Sequence, residues 1–326
     1  MIISRTPLRM SFVGGGSDLA VFYRKCGGAV VSTAIDQFVY VTVNQKFDDR
    51  IRVSYSRTEE ARSAEKIRHP LVRAAMKLLK IDGGVEITSI ADIPSKGSGL
   101  GSSSTFTVGL LNALHAFSGR HAGAEQLARE ACEIEIERCG EPIGKQDQYA
   151  AAFGGLNYIQ FNRDDSVHVE PIICKRETIE KLQSQTLVFY TGITRRASNV
   201  LEQQRSALAS EKKKRDVTKK MVELAQIFRR ELQQNRAAAF GEIIHEGWLL
   251  KKSLARGISS GVIDDWYEKA KNAGALGGKL LGAGAGGFLM FVAPPEKHAA
   301  IAHALKLRRM DFRFESQGSR IIFVHD

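Results

Sequence analysis

Residues 92–105 read DIPSKGSGLGSSST, with Gly97, Gly99 and Gly101 alternating with other residues ahead of a run of serines. Glycine tolerates positive φ and lets a ligand approach the main chain, so consecutive amides in such a loop can converge on an anion. A helix starting just after it would add unbonded N-terminal amides and the positive end of its dipole. The chemistry this favours is phosphate binding. No Lys-Ser/Thr follows the last glycine, which excludes a Walker A loop. Ser102 stands where a dinucleotide fingerprint needs its third glycine. A serine-capped helix start is the simpler alternative, but three serines and three glycines exceed what a cap requires. A second cluster, GGKLLGAGAGG at 277–287, contains G-x-G-x-x-G at Gly282, Gly284 and Gly287. The FLMFV that follows is strand-like, whereas that fingerprint must open a helix. The expectation is a tight turn entering a buried strand, with room for something to lie against its backbone. A third, VGGGSD at 13–18, ends in Asp18, which as a plain structural feature would be an N-cap, as would Ser17.

Carboxylates complete the chemistry. Glu133, Glu135 and Glu137 fall in one expected helix, where alternate residues point to different sides, so only part of the set can face a site. Asp147 lies in GEPIGKQDQ at 140–148, in a turn or helix start. A nucleotide with a hard divalent ion needs one or two carboxylates or hydroxyls for that ion, and an acceptor hydroxyl needs an acid or base nearby. Spacing alone does not say which carboxylate does which.

The elements that must position these residues follow from periodicity. Strands are expected at 2–13, 30–43, 51–55 and 85–90, and helices at 71–79, 105–117 and 124–138. Strands at 156–161, 167–173 and 186–190 lead into a long helical tract over 197–255, broken near Asn235 and Gly247. A helix at 262–272, a strand at 288–292, a helix at 296–307 and a final strand at 319–324 complete the chain. Residues 174–185 turn charged and lose strand character, which places a lobe boundary near 174–186.

Composition sets the bounds. The 326 residues, 43% hydrophobic and 25% charged, are those of a globular chain of two domains or one two-lobed unit. No apolar run approaches the roughly 20 residues that cross a bilayer, and the first residues lack the apolar core of a secretory signal; a cytoplasmic protein with no membrane partner is expected. The four cysteines, Cys26, Cys132, Cys139 and Cys174, form no C-x-x-C pair, which argues against a disulfide framework or a cysteine zinc site. A net charge of +11 would attract nucleic acid, an acidic surface or a phosphorylated small molecule. The densest basic stretch, 211–220, has no interleaved aromatics and reads as a solvated helix face, so nucleic acid is not an expected partner. A homodimer is left open.

Three blocks resemble the GHMP small-molecule kinases, the superfamily of galactokinase, homoserine kinase, mevalonate kinase and phosphomevalonate kinase. They are TPLRMSFVGGGSD (6–18), PSKGSGLGSSS (94–104) and KLLGAGAGGFLMFV (279–292), in the family's order, so the resemblance covers essentially the whole chain. It implies an α+β, two-lobed fold, with an N-terminal ATP-binding lobe at 1–180 and a ferredoxin-like C-terminal lobe at 181–326. It also implies that Pro94, Gly97, Ser98, Gly99, Leu100, Gly101, Ser102 and Ser103 hold ATP, and that Ser103 and Glu135 hold Mg²⁺. Glu135 is preferred to Glu137 because it stands five residues before Gly140, the family spacing. Asp147, in P-I-G-K-Q-D-Q, is similar to the galactokinase P-x-G-x-M-D-Q. By that resemblance it accepts or orients the acceptor hydroxyl proton, with Arg9 beside it supplying a permanent charge that favours the developing alkoxide. Gly15 and Gly16 replace the Glu and His of the sugar-kinase form G-E-H-T-D, leaving Asp18 as the one acidic substrate contact in that block.

Within the superfamily, RTPLRMSFVGGGSDLAVFY and GEPIGKQDQYAAAFGGLNYIQF most resemble the heptose 7-phosphate kinases, which phosphorylate an anomeric hydroxyl; L-fucokinase has a related lobe, and galactokinase-like activity is the other enzymatic alternative. A phosphorylated sugar requires a cationic clamp, for which Arg195, Arg196 and Lys145 are the candidates. From another class comes the competing expectation of a nucleotide- or sugar-binding regulator that kept the fold without the chemistry.

Overall fold

The computed structural model describes residues 1–94, 97–194 and 197–325, apart from the side chains of 197 and 198. The chain runs β1 (Ile2–Val13), α1 (Ala20–Cys26), β2 (Gly28–Gln45), β3 (Ile51–Ser54), β4 (Thr58–Ala61), α2 (Pro70–Leu79), β5 (Val85–Ala91), α3 (Ser102–Phe117) and α4 (Ala124–Cys132). Then follow α5 (Gln146–Phe153), β6 (Leu156–Phe161), β7 (Val167–Pro171), α6 (Arg176–Gln185), β8 (Thr186–Tyr190), α7 (Ala197–Ser210), α8 (Lys212–Gln233) and α9 (Phe240–Lys252). The last elements are α10 (Gly261–Asn272), β9 (Gly277–Leu280), β10 (Phe288–Val292), α11 (His298–Leu305), β11 (Arg308–Met310), β12 (Phe314–Glu315) and β13 (Arg320–Val324).

Two sheets organise them. The larger has the order β13-β1-β2-β5-β3-β4, with β6 and β12 also paired to β2 and β7 to β6. β2 can serve so many partners because it is long and changes neighbour: residues 39–45 pair with β5 and 28–33 with β6. The register with β1 slips between Pro7 and Leu8, where Pro7 faces Phe38 but Leu8 faces Ile35. Such a bulge bends the strand and re-aims the side chains after it, and Arg9 is the second of those. Beyond Arg5, β1 has no β13 partner; there the amide of Arg9 donates to the carbonyl of Leu100 at 3.1 Å, which fastens the glycine loop to the strand.

The smaller sheet, β11-β8-β10-β9, is antiparallel throughout. Numbered along the chain its strands lie 4-1-3-2, with helices after the first and third, which is the ferredoxin-like β-α-β-β-α-β arrangement. FLMFV in β10 is continuously apolar because both faces are buried. Phe288, Met290 and Val292 join the main core, while Leu289 and Phe291 face a second core with Trp248, Tyr267 and Ile301.

Several expectations are corrected. Residues 176–185, within the segment expected to lose strand character at the lobe boundary and given no element there, form α6, with Leu182 buried. The helical tract breaks near Asn235 as expected, where that residue has φ 57°. It also breaks at Glu211, between α7 and α8. It does not break at Gly247, which lies within α9 where the helix crosses β1; a β-carbon there would sit 3.4 Å from a methyl of Val13. The strand expected at 319–324 does form, but it and β12 pair with β1 and β2, so the end of the chain leaves the second sheet and returns to the first. The basic stretch opens α8, where Arg215 donates to the carbonyls of Leu208 and Ala209 at the end of α7. Among the described residues no helix is long and apolar enough to cross a membrane.

Candidate active site

β1 carries Arg9 into the interior, where its side chain is 3% exposed. Its guanidinium grips Asp147 through two parallel bonds, Nε to Oδ1 and Nη2 to Oδ2, each 2.8 Å. Nη1 donates to the carbonyl of Gly99 at 2.7 Å. A planar fork of this kind fixes the direction of a carboxylate as well as its charge. Asp147 sits in the first turn of α5, where an acid is favoured by the helix dipole. One arginine therefore ties the first strand, the glycine loop and α5 together at the wall of a cleft of about 610 Å³.

The glycine loop continues this wall, with Gly101 against Arg9 and Asp147. Gly97, Gly99 and Gly101 all have positive φ, and Gly101 occupies the N-cap position of α3 with no side-chain cap. The serines are therefore not caps, contrary to that alternative, and the first-turn amides of α3, which a helix leaves without intrahelical partners, are free to meet an anion. The second glycine cluster has its explanation here. A β-carbon on Gly282 would lie 2.5 Å from the α-carbon of Gly99, and one on Gly99 would collide with the carbonyl oxygen of Leu281. What lies against that backbone is the first glycine loop, so the two clusters are halves of one contact joining the two sheets.

Behind α3, residues Glu133–Arg138 form a π-helical turn in which the amide of Cys139 donates to the carbonyl of Ile134 at 2.9 Å. A wide turn of this kind often marks a functional site. Here Glu135 is fully buried while Glu133 pairs on the surface with Arg138. Ser103 Oγ donates to Glu135 Oε1 at 2.8 Å and Gln148 Nε2 donates to Oε2 at 2.7 Å. Burial pushes the Glu135 carboxyl up to about 7 despite those bonds, and the negative charge of Asp147 adds to the rise. A buried carboxylate in that state, next to a hydroxyl and facing a cleft, gains from a hard cation. The donor set is all oxygen but contains no protein cage, since no group of three metal-ligating side chains occurs among the described residues. It suits an ion that brings phosphate and water ligands with it, as Mg²⁺ does.

Asp18 closes the far end. Its Oδ1 accepts from the amide of Gly16 at 2.9 Å and its Oδ2 from the amide of Gln146 at 3.3 Å. Burial, then the charge of Asp147, hold its carboxyl above the ordinary range. Gly16 and Asp18 line the cleft together with Gln146, Gln204 and Lys251. Sequence reasoning missed the last two. Lys251, at the end of α9, is 5% exposed and donates to the carbonyl of Gly282 in the second glycine turn. Burial pushes its ammonium down to about 8, and Arg9 pushes the same way.

Other expected site residues are placed differently. Lys145 does not line the cleft: its ammonium donates to the carbonyl of Asp165 at 2.9 Å and lies 5.1 Å above the ring of Tyr23. Pro94 is exposed at the mouth of the loop, and Leu100 is buried and contributes its backbone to Arg9. Gly15 lies beneath Gly16, against Ser11 and Gln146. Arg195 and Arg196 lie outside the described residues.

A glycine loop at a helix start, a buried carboxylate and a second carboxylate held by arginine thus line one cleft, and similarity to known proteins says to which class of protein that cleft belongs. Residues 69–155 match the GHMP kinases N terminal domain and 228–309 the GHMP kinases C terminal domain. The chain is 31% identical, over 97% of its own length and 97% of the relative's, to a D-glycero-alpha-D-manno-heptose 7-phosphate kinase of Campylobacter jejuni. It belongs to the GHMP kinase family and is an ATP-dependent phosphotransferase. It also superposes on the crystal structure of a D-glycero-D-manno-heptose 1-phosphate kinase from Bacteroides thetaiotaomicron with a TM-score of 0.81, 28% identity and complete coverage of both chains. The galactokinase of Lactococcus lactis in complex with galactose, at 18% identity and a TM-score of 0.80 over 98% and 94% of the two chains, shares the fold.

Proposed function

We propose that this protein transfers the γ-phosphoryl group of ATP to the anomeric hydroxyl of D-glycero-D-manno-heptose 7-phosphate, giving the 1,7-bisphosphate, in the cytoplasm. The observation that carries the reading is the Arg9–Asp147 fork, set between the glycine loop and the Asp18 end of the cleft. The likeness to the Campylobacter enzyme supports the choice of sugar. In this reading the ATP-binding lobe is 1–180 and the second lobe 181–326, with the last two strands returned to the first sheet.

The loop amides from Gly97 to Ser103 receive the phosphates, and Ser103 and Glu135 hold Mg²⁺, which when bound neutralises charge on the phosphates. Gly16 and Asp18, which line the cleft, receive the sugar. Asp147, held in one orientation by Arg9, accepts the hydrogen bond of the anomeric hydroxyl and takes its proton as the new P–O bond forms. Early proton removal is not needed, because a loose phosphoryl-transfer transition state develops little charge on the entering oxygen. Lys251 faces the same space and supplies the positive charge on the side of the second glycine turn.

The test is ADP release with heptose 7-phosphate, heptose 1-phosphate, free heptose, L-fucose and galactose as acceptors, followed by phosphorus NMR of the product. A preference for a neutral sugar, or a new phosphate away from the anomeric carbon, would overturn the heptose 7-phosphate reading. Silence across all five with ATP still bound would favour a binding protein.

A further inference from the structure

Eight buried polar side-chain atoms have no hydrogen-bond partner among the described residues, and three of them gather in one place: Ser11 Oγ, Gln146 Oε1 and Gln204 Nε2. Gln204 is the most telling. It is 1% exposed, comes from α7, outside all three family-like blocks, and lines the cleft beside Gly16. A β-carbon on Gly16 would run into its amide nitrogen, so Gln204 fills the space that a side chain at position 16 would take. Gly16 has φ +102°, a conformation that by itself favours glycine. Ser11 Oγ and the Gln146 amide lie 3.7 and 3.8 Å from where a β-carbon on Gly15 would stand. The two glycines that interrupt G-E-H-T-D therefore lie under polar groups delivered from β1, α5 and α7.

We propose that Gln204 is a specificity-determining residue of the acceptor subsite, reading sugar hydroxyls together with Gln146. Buried polar groups in folded proteins are hydrogen-bonded in the great majority of cases, so two orphans in the lining of one cleft, Gln146 Oε1 and Gln204 Nε2, mark the place of an absent ligand with matching groups. A sugar hydroxyl both donates and accepts. The Gln204 N–H donates to one hydroxyl oxygen, and the Gln146 carbonyl accepts the hydrogen of that hydroxyl or its neighbour. Asp18, bonded to the amides of both Gly16 and Gln146, fixes the spacing between the two. A site built this way rejects an analogue that lacks the hydroxyl, because its own buried groups are then left unpaired.

The inference rests on the acceptor's being a sugar. Gln204→Met keeps the volume and removes both amide functions. It is expected to raise KM for D-glycero-D-manno-heptose 7-phosphate about tenfold, the factor that one neutral hydrogen bond supplies, with KM for ATP unchanged. A purely structural role would produce the same rise, so the deciding measurement uses the single-deoxy forms of the sugar. The wild-type protein should discriminate against one of them, and Gln204→Met should treat that form and the parent alike. Gln204→Glu, which swaps the donor for an acceptor, should weaken the parent sugar further and leave the deoxy form unaffected. Equal discrimination by wild type and variants at every position would overturn the proposal. If the protein prefers a different sugar, the heptose reading falls and the same comparison on the deoxy forms of that sugar decides the role of Gln204. A protein that neither binds nor phosphorylates any sugar overturns both.

Discussion

Asp147 and Arg9 act as one unit, so the consequences of changing either are specific. Asp147→Asn keeps the shape and removes the charge that receives the proton in the proposed reaction; kcat is expected to fall by 10² or more, with KM for ATP little changed. Steady-state kinetics with both substrates varied checks this. Lys251 gives the pH dependence. Its folded-state value of about 8 lies below the ordinary lysine range, so the folded protein binds fewer protons than the unfolded chain between about 8 and 10.5. Stability attributable to this group therefore rises with pH across that window, and below it the buried charge carries a constant cost of at most about 3 kcal/mol. The groups facing it have opposite effects: Arg9 deepens the depression, and Asp18 and Asp147 relieve it. Lys251→Met should thus melt higher than wild type at pH 7, with the difference shrinking toward pH 10. Activity should run the other way, with kcat/KM of the wild type declining as pH rises through about 8 and Lys251→Arg lacking that limb. That Arg9, Ser103, Glu135 and Asp147 meet at one cleft was legible in the sequence through their family-like blocks and spacings. Lys251 and Gln204 come from helical tract with nothing but helical periodicity around them, and only folding brings them to the cleft.

Glycines separate what was legible among the elements from what was not. The sequence marks Gly99, Gly282 and Gly247 alike as interruptions, yet their backbones differ. Gly99 and Gly282 have positive φ and touch each other's main chain, while Gly247 is an ordinary helical residue with room beside Val13. Opposite outcomes follow. Gly99→Ala must hold a β-carbon at φ +75° against the Leu281 carbonyl, and is expected to cost roughly 1–3 kcal/mol and to raise KM for ATP. Gly247→Ala gains helix propensity and should stabilise by up to about 1 kcal/mol, provided Val13 accommodates the methyl. Paired urea melts distinguish the two. Propensity alone cannot see that a helix passes over a strand at its glycine, which is why α9 was expected to end there. The π-helical turn was equally hidden: alternating glutamates and isoleucines at 133–137 fit a continuous helix, and only burial of Glu135 selects the wider turn.

For the molecule as a whole, the strands at the chain's end carry most of the consequence. Local patterning identifies 319–324 as a strand but does not say which sheet receives it, because pairing over more than 300 residues leaves no local trace. Its return to β1 puts Ser319 within 2.8 Å of the Thr6 hydroxyl and 3.0 Å of the Asn112 amide, joining the first strand, α3 and the last segment in one partly buried polar cluster. The amino terminus also donates to the carbonyl of His325 at 2.6 Å. A fragment comprising 1–180 would therefore expose the edge of β1 and strand Thr6 and Asn112 without partners. It should fail to give a cooperative melt, since the strand pairing of β1 with β13 is lost and the open edge invites aggregation. Truncation of the full chain after residue 318 isolates the contribution of β13 alone. It is expected to lower the melting midpoint while leaving the second sheet, whose strands all precede residue 311, protected in hydrogen exchange. Amide protection in β8 and β10 that collapses together with that in β1 would show instead that the two sheets unfold as one cooperative unit, held by the contact between Gly99 and Gly282.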